Sequence, residues 1–296
     1  MDRDVLFPAG LGDRAGHHAR GAGGRLRHRD LHGPRTGHRV FGSGRSAYRA
    51  KPRSLRLGKT TWKCRRAAFD ATESLTPFVS YGRGFEGVAA FTGETSAKPE
   101  ESEQIEAGVR FSFDAIGLSG SAAVYELTRQ NVPVADPNRP GIQIQTGEQR
   151  ARGAEFDLIW KATSALTILG NYAYTDAEVT EDTTIPEGDR LARVPLHSGR
   201  IAARYEFSSG RLDGLGLGLG LTAASEREIT LPNDLETDAF FSIDAQASYE
   251  IGLAVLRLSI ENLTDEEYFE PYQFLGQSVV RPARPRTVFL SLSATY

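Results

Sequence analysis

Side chains able to do chemistry are sparse in this chain. One histidine, His197, lies beyond residue 38, and Cys64 is the single cysteine. A catalytic nucleophile needs a base in hydrogen-bond reach and a third group to orient that base. No Ser/His/Asp or Cys/His arrangement meets that need, and a lone histidine is a poor metal ligand set. Glu155 and Asp157 have a spacing that acid–base work could use. On an extended segment they share one face, where they read as charge balanced by Lys161, Arg204 or Arg257. Asp265-Glu266-Glu267 and Glu178/Glu181/Asp182 offer the oxygen ligands that Ca²⁺ takes, but both fall in polar connections and read as solvated loop faces. Gly214-Leu-Gly-Leu-Gly-Leu-Gly220 is not the dinucleotide fingerprint, and it lies inside a strand pattern instead of opening a helix. Asn262-Leu-Thr264 fits a glycosylation acceptor, with no further sign of that use. These residues argue against an enzyme and call for no resident metal or cofactor.

The elements that would hold these residues are strands. From Val288, the positions Val288, Leu290, Leu292, Ala294 and Tyr296 alternate with Phe289, Ser291, Ser293 and Thr295. Alternate side chains of a strand point to opposite faces, so one face is apolar and the other mostly polar. The same period recurs near 75–84, 103–113, 116–127, 149–161, 165–176, 198–207, 215–225, 239–250 and 253–262. Strands of soluble proteins run to about five or six residues, whereas a tilted strand crossing a bilayer needs about nine to eleven. Long connections fall at about 85–102, 128–148, 177–197, 226–238 and 263–284, and short ones near 114–115, 162–164, 208–214 and 251–252. Long loops at one end and short turns at the other are the habit of outer-membrane barrels. No run approaches the ~18 apolar residues of a transmembrane helix.

The net charge of −3 conceals two unlike parts. Residues 1–66 carry 14 Arg and 3 Lys against 4 Asp, a balance of +13, while the remainder carries 18 basic and 34 acidic residues, a balance of −16. Five of the six histidines also lie in the first part. Such a segment could be a basic arm for nucleic acid or anionic lipid. Its Arg/Gly/His/Pro bias without Glu, with no periodicity, is what a GC-rich gene yields when read out of frame. The second reading makes 1–67 a disordered or non-native segment and 68–296 the folded domain, with no nucleic acid as partner. No apolar core of a secretory signal opens the chain.

Several segments together resemble the C-terminal barrel of TonB-dependent outer-membrane receptors, of the ferric-siderophore branch. They are Phe69–Phe85, Arg152-Gly-Ala-Glu155, Val194-Pro-Leu-His-Ser198, Glu261-Asn-Leu-Thr-Asp-Glu-Glu-Tyr268, Arg284-Pro-Arg-Thr-Val-Phe-Leu-Ser-Leu292 and the terminal aromatic. The resemblance implies an all-β, antiparallel transmembrane β-barrel, present only in part: about ten strands of a barrel of about 22 with a plugged lumen. It implies a cell outer membrane location in a Gram-negative bacterium, outer-membrane lipid around the wall and a ferric siderophore as transported ligand. The TonB complex is a partner of the intact family member only. Plug, TonB-contacting segment and signal peptide have no counterpart in this sequence. The expectation is therefore a remnant or fragment, inactive alone, with open edges near 75–84 and 285–296 that would be costly in lipid.

In an intact relative the ligand would meet long extracellular loops. By that resemblance the binding residues here are Phe91, Arg190, Tyr268, Tyr272, Phe274 and Arg281. An aromatic ring can pack on a catecholate and a cation can meet an anionic chelate. Tyr268 and Tyr272 could equally belong to the aromatic girdle of the membrane interface. An adhesin translocator or a porin is the alternative barrel class.

Overall fold

The structure, a computed structural model, describes residues 47–49, 56–57, 60–61, 63–87, 98–136, 142–274 and 277–294, all within the compact unit Ser46–Tyr296. One antiparallel sheet dominates it. In chain order its strands are β1 (Ala47–Arg49), β2 (Lys63–Phe69), β3 (Leu75–Glu86), β4 (Glu100–Phe113), β5 (Leu118–Ala135), β6 (Gln143–Lys161), β7 (Leu166–Glu181), β8 (His197–Glu206), β9 (Leu215–Ala224), β10 (Phe240–Ile251), β11 (Ala254–Glu261) and β12 (Thr287–Ala294). Each pairs with its neighbour in sequence. Among the described residues β1 and β12 have one neighbour each, so the sheet is not closed.

The register sorts the two faces. Leu75 pairs with Phe111, and the row continues through Gly120, Leu158, Gly170, Ile201 and Leu221 to Ile243. The next row runs Phe113, Leu118, Trp160, Ile168, Ala203, Leu219, Ala245, Ile260, Val288. Every member is apolar or glycine. The opposite face gives Thr76, Arg110, Ser121, Asp157, Asn171, Arg200, Thr222, Ser242. The apolar face is open: Ile105, Val124, Ile201, Leu219, Leu290 and Leu292 are all more than half exposed. Apolar side chains turned outward and polar ones turned inward invert a water-soluble core and suit a wall standing in hydrocarbon. Phe113, Trp160, Tyr205 and Tyr249 stand on that face near the short turns, and Tyr81, Tyr172 and Phe241 nearer the loops, as girdles do.

The register also sets the tilt. Leu75 lies at the turn end of β3, yet its row meets β10 at Ile243, eight residues above the turn end Ile251, after seven strand steps. At ~3.3 Å per residue and ~4.8 Å between strands this stagger is a tilt of about 38°, within the range of membrane barrels.

Two close approaches explain glycines of the polar face. A Cβ on Gly216 would lie 2.4 Å from the Arg204 guanidinium. Its absence lets Arg204 cross β9 to reach Gln246 (3.2 Å) and Ser248 (2.8 Å) on β10. A Cβ on Gly153 would meet the ring and hydroxyl of Tyr125 at 2.5 Å. The ring crosses there so that its hydroxyl hydrogen-bonds Thr175 at 3.2 Å. Gly153 is thus a packing position, while Arg152, on the other face, is bonded to Glu126 at 2.6 Å.

Four expectations need correction. The sheet begins upstream of residue 68: β2 runs across the expected junction, and β1 pairs with it. Strand β3 is consequently no edge, because β2 and β4 flank it. The connection expected at 128–148 is mostly strand, since β5 and β6 extend to 18 and 19 residues. Thr128-Arg129-Gln130 and Gln145 through Gln149 are polar on both faces, so beyond the apolar band the alternation disappears while the pairing continues. Finally, Arg204 bonds Glu206 instead of balancing Glu155 or Asp157.

Face assignment makes a direct prediction. Leu219→Arg, near the middle of the apolar band, should cost about 2–4 kcal/mol in urea unfolding from lipid vesicles. Glu155→Arg, on the polar face, should cost under about 1 kcal/mol. Equal costs would contradict the assignment.

Candidate functional site

The connections 87–99, 182–196, 225–239 and 262–286, each at least 13 residues, leave one end of the sheet, as does the shorter 136–142. Connections 225–239 and 262–286 contain short ribbons of their own, Arg227–Glu228 with Glu236–Thr237 and Phe269–Phe274 with Gln277–Pro282. Loops that must hold a shape outside the membrane need anchors, and the anchors are visible.

Asn262 is the main one. It is 4 % exposed and takes a left-handed backbone, φ 52°, which asparagine tolerates. Its side-chain amide donates to the carbonyls of Glu266 (2.9 Å) and Arg284 (3.1 Å) and accepts from the Glu266 amide (2.9 Å). Its own N–H donates to Asp244 at 3.1 Å. Asp265 accepts from the Arg286 backbone at 2.8 Å and faces the Arg286 guanidinium at 3.4 Å, while Arg284 pairs with Glu261 at 2.8 Å. The Asn-Leu-Thr-Asp and Arg-Pro-Arg segments therefore close the root of the last loop. On the other side, Gln145, 7 % exposed, donates to the Lys98 carbonyl (2.6 Å) and accepts from the Lys98 amide (2.8 Å), joining the 87–99 connection to the β5–β6 hairpin.

Above these roots an aromatic–cation cluster joins two loops. Phe240 and Tyr268 stack with centroids 4.1 Å apart and planes 2° from parallel. The Arg227 guanidinium lies 5.3 Å from the Phe240 centroid and donates to the Phe269 carbonyl at 3.3 Å. Burial pulls Arg227 below the usual arginine value, against the pull of Glu270. Burial first, then Glu270 and Asp244, push the Tyr268 hydroxyl up. Next to it Arg281 donates twice to one oxygen of Glu270, at 2.9 and 2.7 Å, and sits 5.3 Å from the Tyr272 centroid. Such cation–π contacts contribute about 0.5–1 kcal/mol at exposed sites.

A second junction links 182–196 to 225–239. The Arg190 amide donates to the Asn233 side chain (2.6 Å), which donates back to the Arg190 carbonyl (2.9 Å), and the Asn233 amide meets Asp189 at 3.0 Å. Glu228 faces Glu236 across the ribbon. Partial burial, then Glu236 and Asp189, hold the Glu228 carboxyl above the usual range, with Arg190 opposing.

The structure brings Tyr268, Tyr272 and Arg281 together on the last loop, with Phe274 at the end of the strand that carries Tyr272. Tyr272 is 44 % and Phe274 58 % exposed. Tyr268 lies against Phe240, whose register mate Ala224 follows Ser198 along the polar face, so it is not a girdle residue. Arg190 is at the separate junction with Asn233, and Phe91 lies outside the described residues. Sequence reasoning missed Arg227, Phe240, Glu270 and Asn233. Phe240 begins a strand and looked like wall; Glu270, two residues from Tyr268, was legible as a partner for a loop arginine.

A family described as "TonB dependent receptor-like, beta-barrel" matches residues 21–263. The chain is 33% identical over 232 residues to the metal-pseudopaline receptor CntO of Pseudomonas aeruginosa, covering 77% of this chain and 32% of that protein. It is 32% identical over 200 residues to the ferrichrome outer membrane transporter/phage receptor of Escherichia coli K12, covering 66% of this chain and 27% of that protein. The chain thus spans about a third of the length of the curated relatives it matches. Among solved structures, the siderophore receptor PiuA from Acinetobacter baumannii superposes with a TM-score of 0.68 at 22% identity, over 79% of this chain and 35% of that one. That likeness supports the wall architecture.

Two outcomes test this geometry. Asn262→Ala removes three side-chain hydrogen bonds and should loosen the last loop by about 2–3 kcal/mol, read as faster limited proteolysis within 263–286; unchanged cleavage would refute the anchoring role. Glu228, with its carboxyl held high, favours the closed loop when protonated. That contribution is complete below the ordinary glutamate value of about 4.3 and is lost as pH rises through the raised one. Amide protection at Ile229, which donates to Leu235 at 2.8 Å, should fall between acid and neutral pH, and Glu228→Gln should flatten the profile. A profile that stays sloped in the variant would refute it.

Proposed function

Because this chain belongs to the TonB-dependent receptor β-barrel family, we propose that it forms the C-terminal part of the barrel wall of an outer-membrane receptor that takes up ferric siderophores. Family members are outer-membrane proteins, and the apolar outer face spanning the sheet suits that location. The observation that carries the reading is the shared identity with two receptors for metal chelates over most of this chain. The geometry is consistent with it: all long loops gather at one end, anchored at their roots and carrying exposed rings at Tyr272 and Phe274. Rings at such a mouth can hold a chelate by stacking. The ligand is a transported ferric complex, not a resident cofactor, and lipid surrounds the wall. In the intact receptor the TonB complex is the energy-coupling partner.

The ligand contacts proposed are Phe91, Arg190, Tyr268, Tyr272, Phe274 and Arg281. Of these, Tyr272 and Phe274 have the most open ring faces among the described residues. Arg281 presents its guanidinium beside Tyr272 while tied to Glu270.

The test uses the full chain in lipid vesicles, titrated with ferric siderophores and followed by quenching of its intrinsic fluorescence. Saturable quenching is expected, with Kd raised about tenfold by the double change Tyr272→Ala and Phe274→Ala, the equivalent of about 1.4 kcal/mol. Absence of saturable quenching with every chelate tried would overturn the proposal.

A further inference from the structure

Three of the loops at this end are strongly acidic. Segments 182–196, 225–239 and 262–286 together hold 12 Asp and Glu against 6 Arg and no Lys, a balance of −6. The structure shows that even these cations are largely spent. Arg281 is held by Glu270, Arg284 by Glu261 and Arg286 by Asp265. Arg227 is pressed onto Phe240 with its Nε buried and without a hydrogen-bond partner. Arg190 offsets the carboxyl of Glu228. The strand ends below the loops repeat the pattern: Arg83 pairs with Glu101, Arg129 with Glu100, and Arg150 with Glu178.

The acids are not spent in the same way. Glu226, Asp234, Glu236 and Asp238 lie on one loop and are all exposed. None of the four forms an ion pair among the described residues. An anionic chelate approaching this mouth would find exposed carboxylates without counter-ions, while Arg281, Arg284 and Arg286 are already paired with acids. Against the net charge of −6 it would lose ion–water contacts for little gain in charge pairing. A neutral or cationic chelate meets the opposite situation. Its charge is drawn by the field of the loops, and the negative faces of Tyr272 and Phe274 favour a cationic or apolar body.

Resting on the receptor reading, we propose that this mouth selects ferric chelates carrying no net negative charge, of the trihydroxamate kind, and discriminates against anionic tris-catecholates. This reverses the expectation that a loop arginine would meet an anionic chelate. Arg281 is the residue that expectation most needed, and Glu270 has already engaged both its Nε and its terminal nitrogen at 2.9 and 2.7 Å.

The experiment titrates the full chain in neutral-lipid vesicles with two probes, a cationic ferric trihydroxamate and an anionic ferric tris-catecholate, following quenching at low and high salt. At ~0.01 M salt, where the screening length is about 30 Å, the trihydroxamate should bind at least about tenfold more tightly. Raising salt to ~1 M should collapse that ratio. The fourfold variant Glu226→Gln, Asp234→Asn, Glu236→Gln and Asp238→Asn, all at exposed loop positions, should shrink it at low salt while leaving saturable quenching in place. Equal or tighter binding of the tris-catecholate, or a ratio that neither salt nor the variant moves, overturns the charge selection and leaves the receptor reading standing. Binding of neither probe removes the receptor reading and this inference with it.

Discussion

One constraint organises the whole sheet: each strand must satisfy its backbone through its neighbours while turning apolar side chains to one side only. In hydrocarbon an unpaired N–H or C=O costs several kcal/mol, so spanning strands tolerate no gaps in their ladders. Because side chains alternate with period two, a slip of one residue anywhere would carry Arg110, Asp157, Arg200 or Asp244 to the outer face. The continuous rows from Leu75 to Ile243 and from Phe113 to Val288 are what that constraint produces. The same stagger tilts the strands, so register, tilt and face polarity are one decision made many times over.

The polar face then solves a problem that the apolar one does not have. Its charges must be paired across strands without bulk solvent alone to absorb them. Arg200 reaches Asp244 at 2.9 Å, two strands away, passing Thr222. Arg204 does likewise over the glycines of β9. Within the apparent low complexity of Gly214–Gly220, Gly216 is the position that leaves room for the Arg204 guanidinium. At the loop end the logic shifts to anchoring. Asn262 binds the backbone of both Glu266 and Arg284, while Asn233 and Gln145 each bind the N–H and C=O of one distant residue, Arg190 and Lys98, which fixes loops that have little apolar burial to hold them.

Much of this was legible in the sequence where the two faces differ in polarity. The alternation in Leu215–Ala224 and Phe240–Ile251 marks those strands without ambiguity, and the one-sided distribution of loops follows from counting between them. Legibility fails where both faces are polar, as in the outer halves of β5 and β6, because the pairing there is carried by backbone alone. It fails again at β2, where Arg65 and Arg66 hide a strand inside a segment read as non-native. The candidate site was visible as residue types, Tyr268, Tyr272, Phe274 and Arg281, but not as a neutralised cluster. That Glu270 engages Arg281 and that Phe240 lies beneath Tyr268 depend on how two distant loops fold over the sheet end.

The central claim is that the outer face meets lipid and the inner face meets water. It is tested most directly by nitroxide labels placed singly along Leu215–Ala224 of the chain in vesicles, in a Cys64→Ser background, with collision rates measured against oxygen and a water-soluble relaxant. The account predicts strict alternation: labels at 217, 219 and 221 favour oxygen, and labels at 216, 218 and 220 favour the aqueous agent. Uniform accessibility along the strand, or alternation of the opposite phase, would contradict it.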